Sequence, residues 1–270
     1  MSRIKNKFDQ LAVGGNVPSG EKALIAYIMA GDPNLSETEK IVLEMEKAGA
    51  DFIELGVPFS DPVADGPTIQ KAAQRALQQG VTLPLILERV AIIRKKTKIP
   101  ILLMTYLNPI LAMRVEFFFK EAHRVSVDGV IIPDLPLEEA KECLHWSLRH
   151  HVDLIFLIAP TTPFERVEKI ASVATGFIYY VSLTGITGAA IKQITAVTER
   201  ISKIKSLVKI PVVAGFGIST GEEAKEVCRT ADGVVVGSLF VKTIETSSEE
   251  GTLLPRLSQQ VSSLKGAILS

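Results

Sequence analysis

A single (β/α)8 barrel, a TIM barrel with a short extra helix ahead of its first strand, is the fold class this sequence predicts. Eight short β-rich runs alternate with longer segments of helical periodicity along the chain, as in a parallel sheet whose strands are joined by helices. Most of those runs are continuously apolar, which is how strands buried on both faces look. The chain has 270 residues, and a closed barrel uses roughly 250 as one domain. An open doubly wound sheet also fits the alternation. The count of eight and the length favour closure, with residues 1–270 as one domain.

The chain opens with Ile4, Phe8 and Leu11 at helical spacing, a short helix suited to plug the barrel floor. Strands are predicted over Ala23–Met29, Asp51–Val57, Pro100–Tyr106, Gly129–Asp134, Asp153–Ala159, Gly176–Ser182, Pro211–Gly217 and Asp232–Gly237, each bounded by Gly, Pro, Asn or Asp. After the first strand, Ser36-Glu-Thr-Glu39 has capping-box spacing with Ser36 as N-cap. Ile41, Leu43 and Met45 continue that helix to a stop at Ala48-Gly49. Further helices are expected over Leu85–Lys96, Val115–Val125, Leu137–His150, Pro163–Val173, Ala196–Val208, Gly221–Arg229 and Leu254–Ile268, and Gly66-Pro67 leads into another. Two connections, Pro58–Gly66 after the second strand and Leu183–Ile191 after the sixth, are longer than packing needs. The βα loops of such barrels build the active site, so both are functional candidates.

Composition narrows the class. Hydrophobic residues make up 47% of the chain and charged residues 22%, a globular balance. Thirty basic residues offset thirty acidic ones, so no global field draws in nucleic acid or an anionic membrane. Two cysteines, Cys143 and Cys228, cannot build a disulfide framework and suit a reducing compartment. The charged opening Met1–Phe8 lacks the apolar stretch of a signal peptide. The longest uncharged run, Ile170–Ile191, carries three Gly and five Ser/Thr, too polar for a membrane span. A cytoplasmic protein is the expectation.

Glu54 is the most informative residue. In Asp51-Phe-Ile-Glu-Leu-Gly-Val57, strand alternation places Ile53, Leu55 and Val57 on one face and Phe52, Glu54 and Gly56 on the other. The aliphatic face suits the surrounding helices, which directs Glu54 into the barrel near its C-terminal mouth. A carboxylate there is costly unless its pKa rises or a partner compensates. Bonding to a loop amide or a stray lysine is the bland alternative, and general acid–base work the sharper one. Asp61 and Asp65 follow in a loop stiffened by Pro58 and Pro62. Each suits an ordinary turn or cap, yet their place after Glu54 makes a two-carboxylate mouth plausible.

Glycines form the second constellation. Gly215-Phe-Gly-Ile-Ser219 closes strand seven, Gly237-Ser238 closes strand eight, and Gly185-Ile-Thr-Gly188 follows strand six. Loops after the last two strands, with a helix N-terminus, form the usual phosphate site of this barrel class. Backbone N–H groups approach an anion closely where no Cβ intervenes. Thr105, Tyr106, Asp134 and Tyr179 also end strands and either line a pocket or simply pack. His123, His145, His150 and His151 fall in helical segments, without metal-ligand spacing on a strand end; no metal site is expected.

The run Glu54-Leu-Gly-Val-Pro-Phe-Ser-Asp-Pro-Val-Ala-Asp-Gly-Pro67 closely resembles the signature of the tryptophan synthase alpha chain family. Ala30-Gly-Asp-Pro33, Leu103-Met-Thr-Tyr-Leu-Asn-Pro109, Pro133-Asp-Leu-Pro136, Thr184-Gly-Ile-Thr-Gly188, Gly215-Phe-Gly-Ile-Ser219 and Val236-Gly-Ser238 agree in order, over nearly the whole chain. The resemblance implies a barrel that cleaves indole-3-glycerol phosphate to indole and glyceraldehyde 3-phosphate, without a cofactor of its own. Pyridoxal phosphate is implied only on a beta-chain partner, in an α2β2 assembly that receives the indole. By position, Glu54 matches the catalytic glutamate, Asp65 the aspartate at the indole nitrogen, and Tyr179 a tyrosine near the glutamate. Gly188, Gly217, Gly237 and Ser238 match phosphate-holding positions, and Asp61 a loop aspartate that communicates with the beta subunit. Tyr27, Ile131 and Phe216 fall around the indole ring. Ala189-Ala190, Pro133 and Tyr27 depart from the common pattern, which bears on loop closure and pocket shape. The alternative is a catalytically weak subunit that binds the phosphate ligand and only activates its beta partner.

Overall fold

In the computed structural model, residues 2–13, 20–181, 190–215, 217–247 and 251–270 are described, without the side chains of 190–193. Eight parallel strands close into a barrel in sequence order. They are β1 (Ala23–Met29), β2 (Phe52–Gly56), β3 (Ile101–Met104), β4 (Gly129–Ile131), β5 (Asp153–Ile158), β6 (Ile178–Val181), β7 (Val212–Gly215) and β8 (Gly233–Val236). The helices are α1 (Arg3–Val13), α2 (Leu35–Lys47), α3 (Pro67–Gln78), α4 (Leu83–Arg94), α5 (Leu107–Met113), α6 (Val115–Arg124), α7 (Lys141–Arg149), α8 (Phe164–Val173), α9 (Ala190–Leu207), α10 (Gly221–Cys228), α11 (Ser238–Ser247) and α12 (Leu253–Leu269). Every residue of β1, β2, β4 and β8 is buried, because the strands have barrel interior on one side and helices on the other. Helices turn one apolar stripe inward, as Thr38, Ile41, Val42 and Met45 do on α2.

The floor of the barrel is sealed by α1. Ile4, Phe8 and Leu11 are its buried face, and Phe8 meets Phe52 at 5.0 Å and Phe177 at 5.9 Å between ring centroids. One hydrogen-bonding device recurs around this floor. Asp51, Asp128, Thr175 and Asp232, ahead of β2, β4, β6 and β8, each bond twice to one residue of the preceding strand. Their N–H groups donate to the carbonyls of Leu24, Ile101, Leu154 and Val212 at 2.8–3.2 Å. Their side chains accept from the N–H groups of those same four residues at 2.8–2.9 Å. The starts of all four odd strands are thereby satisfied. Lys265, Arg94 and Lys205 neutralise the three aspartates at 2.5–2.8 Å.

Several boundaries differ from the sequence expectation. Asn34, not Ser36, caps α2: its side chain accepts from the Glu37 N–H at 2.9 Å, and the helix starts at Leu35. The strands end earlier at the mouth, where the chain turns outward into loops, although Val57 and Thr105 still donate to Met104 and Ile131. Residues 137–150 break into a 3-10 turn (Leu137–Glu139) and α7. Helix α9 begins at Ala190, ahead of the expected Ala196. Neither α5 nor α11 is predicted by periodicity. Helix α5 has seven residues and its start is held from elsewhere, Asp134 accepting the Leu107 N–H at 2.9 Å. Helix α11 is rich in β-branched residues, which weaken the helical signal.

Candidate active site

The C-terminal ends of the strands surround a cavity of about 360 Å³. Alternation in β2 turns Glu54 into it, in register with Tyr27 of β1 and Leu102 of β3. Glu54 is 0% exposed, and among the described residues neither of its carboxyl oxygens has a hydrogen-bond partner. Burial pushes its pKa up to about 8, with the negative charge of Asp65 adding to the rise. Asp65, half-buried on the loop between β2 and α3, reaches the same cavity. Burial raises its pKa to about 6, and a hydrogen bond with Tyr106 pulls the other way. Asp65 does not cap α3: Gly66 is the N-cap residue, and no side chain bonds there. The cap alternative for Asp65 therefore falls away.

Two tyrosines flank the carboxyls. A Cβ on Gly56 would lie 2.2 Å from the Tyr27 hydroxyl, and one on Gly215 would lie 2.5 Å from that of Tyr179. Each ring thus crosses the mouth by lying over a glycine of the next strand, space that any side chain would fill. Burial raises the pKa of both tyrosines well above 10, and Asp65 and Glu54 raise it further. Both phenols stay protonated beside the carboxyls.

Across the cavity are Gly217, Gly237 and Ser238. Gly217 has φ +61° with open space where its side chain would be, a backbone state that favours glycine. Ser238 begins α11, and the Val241 N–H bonds to the Gly237 carbonyl at 3.0 Å. The first-turn amides of α11 therefore have no intrahelical acceptor and carry the positive end of the helix dipole beside the cavity. This is anion-binding geometry. A guanidinium fastens the two sides together. Arg75 of α3 binds the buried Asp32, after β1, at 2.8 and 2.9 Å and Glu245 of α11 at 2.9 Å.

Met104, Pro133, Leu157, Val181, Val235 and Ile69 supply apolar wall. Of these, sequence reasoning flagged only Pro133, among the departures that bear on pocket shape, although strand parity from Glu54 and Tyr179 finds Met104 and Leu157. Of the ring-contact candidates, Tyr27 lines the cavity, whereas Ile131 is fully buried in β4 and is not on its wall. Tyr106 is also off the wall, its hydroxyl accepting the Ala64 N–H at 2.9 Å. Asp134 caps α5 instead of facing the mouth. Asp61 is exposed and accepts from the Ser60 hydroxyl at 2.6 Å, on a surface groove with Phe59, Val63 and Leu77. Gly188 and Phe216 lie outside the described residues, as does most of the 183–191 connection. Among the described residues, no three His, Cys, Asp or Glu side chains gather as metal ligands.

A buried and a half-buried carboxyl sharing a cavity with a helix N-terminus, at the C-terminal mouth of a closed barrel, define a barrel of the enzyme-bearing class. Comparison with known proteins makes the assignment specific. The family model of the tryptophan synthase alpha chain matches residues 16–268. A tryptophan synthase alpha chain of Citrifermentans bemidjiense is 49% identical, over 100% of this chain and 98% of that one. One from Geobacter sulfurreducens is 46% identical over 99% of both. Tryptophan synthase subunit alpha from Legionella pneumophila superposes with TM-score 0.90 at 36% identity, over 99% of this chain and 98% of that one. The chain belongs to the tryptophan synthase alpha chain family.

Proposed function

We propose that this chain cleaves indole-3-glycerol phosphate to indole and glyceraldehyde 3-phosphate by a retro-aldol reaction. The fully buried Glu54 carboxyl, with both oxygens unpartnered and turned toward an apolar cavity, is the observation that carries this reading. With a pKa of about 8, Glu54 is protonated at neutral pH and able to deliver its proton to C3 of the indole ring. The ring becomes an indolenine cation, and Asp65, ionised above about 6, takes the ring N–H and stabilises the charge. The Glu54 carboxylate then removes the proton of the side-chain hydroxyl next to the ring. The carbon–carbon bond breaks, its electron pair returns to the ring, and an aldehyde forms. Glu54 ends protonated, as it began.

Tyr27 and Tyr179 enclose the ring with Phe216, and Ile131 backs the wall from within the barrel. Gly217, Gly237 and Ser238, joined by Gly188, hold the phosphate by backbone amides and the α11 dipole. This binding energy lies remote from the bond that breaks. The reaction needs no metal or organic cofactor on this chain. The indole passes to a beta chain in an α2β2 assembly, with Asp61 on the communicating loop; any pyridoxal phosphate belongs to that partner. The chain works as one unit, in the cytoplasm. No single helix among the described residues is long and apolar enough to cross a membrane.

Indole release from indole-3-glycerol phosphate, by this chain alone and with a tryptophan synthase beta chain, tests the reading. Slow release that rises when the beta chain is added is expected. Phosphate-ligand binding without release in either case would favour the regulatory alternative.

A further inference from the structure

We infer that Tyr106 is a positioning residue: its hydroxyl ties the loop after β2 across the barrel mouth and holds the Asp65 carboxyl in place there. The inference rests on the proposed cleavage reaction and adds to it a residue that touches no substrate. Tyr106 is 4% exposed, stands immediately before α5 and is absent from the cavity wall. Its hydroxyl accepts the Ala64 N–H at 2.9 Å, leaving its own proton available to the carboxyl of Asp65, the next residue, whose charge bears on the phenol. Its ring packs on that of Phe59, centroids 5.3 Å apart. One side chain thus grips both ends of the loop, Phe59 at the start and Ala64-Asp65 at the finish. The grip is anchored, because Thr105 is bonded to Ile131 of β4 and α5 is capped by Asp134.

The electrostatics give this contact its consequence. Among the described residues, the groups that interact with Asp65 are Glu54 from β2, Tyr27 from β1, Tyr179 from β6 and Tyr106 ahead of α5, with Asp134 beyond Tyr106. None of these is a cation. With no positive charge in that set, hydrogen bonding is what opposes the burial of the Asp65 charge. Loss of the hydroxyl would remove that opposition and leave the Ala64 N–H without its acceptor. Asp65 would then take up a proton nearer neutral pH and lose the charge that stabilises the protonated ring.

Tyr106→Phe keeps the ring on Phe59 and deletes only the hydroxyl. The full chain, wild type and variant, is assayed with the beta chain for indole release across pH, and the Asp65 carboxyl is titrated by carbon-13 NMR, with Asp65→Asn assigning the signal. The acid limb of kcat/KM is expected to move up by about one pH unit. The deficit should approach about tenfold below about pH 5, shrink to about twofold at neutral pH and vanish as pH rises further, with Asp65 titrating correspondingly higher. A deficit equal at every pH, or an Asp65 titration that does not move, overturns the inference. Absence of indole release from the wild type would overturn the cleavage reading instead, and the NMR titration would still decide the Tyr106–Asp65 contact.

Discussion

Glu54 carries the proposed chemistry, and its burial has a measurable cost. An exposed glutamate in an unfolded chain titrates near the ordinary value of 4.5, whereas Glu54 in the fold is pushed up to about 8. The folded state therefore holds this proton more tightly. Its contribution to stability is fully present below pH 4.5 and is lost as pH rises toward about 8. Glu54→Gln, which cannot ionise, should be more stable than wild type by about 4 kcal/mol at pH 8. That advantage should vanish near pH 4, which urea unfolding at the two pH values would read. An advantage that is the same at both would mean Glu54 is not held protonated by the fold. The same residue was legible in the sequence because period-2 alternation gives it a face. Tyr106 was only half legible: its strand-end position is visible, but its bond to Ala64 spans 42 residues, and no local pattern reports such a contact.

At the scale of elements, the apolar runs identified all eight strands, because a doubly buried strand has little freedom in composition. Short helices were harder. The start of α5 is secured by Asp134, 27 residues away, so its cap is invisible nearby. The α2 cap shifted to Asn34 for a related reason: two side chains two residues apart both suit the role, and the path out of β1 selects one. Helix C-termini hold a different lesson. His151 follows α7 with φ +55°, its N–H on Leu148 O and the Val152 N–H on Ser147 O. That is a Schellman turn, where glycine is favoured. A histidine there stores conformational strain of about 1 kcal/mol, and its exposed ring returns little packing. His151→Gly should raise the thermal midpoint by about 2 °C, measured by calorimetry. A fall would show that the ring contact with His123, 6.3 Å between centroids, outweighs the strain.

Across the whole molecule the two ends of the barrel are built for different tasks. At the floor, Asp51, Asp128 and Asp232 have cations and backbone amides to satisfy them, and α1 closes the opening. At the mouth, Glu54 has no partner and Asp65 is held by a tyrosine, facing the unsatisfied amides of α11. Among the described residues, these carboxylates are thus paired with cations where they hold the fold and have none where they face the cavity. Arg75 ties α3, which follows Asp65, to Glu245 of α11 across the mouth. The sequence made both sides visible as motifs, but not the walls between them, since Met104, Leu157 and Val235 look like any other strand residues. The central claim is that the Glu54 carboxyl shuttles the proton of cleavage. Its most direct test is kcat for indole release from indole-3-glycerol phosphate by Glu54→Gln, saturated with beta chain, against wild type. A fall of about 1,000-fold or more in a variant that is folded is the predicted result. Turnover within a few-fold of wild type would contradict it.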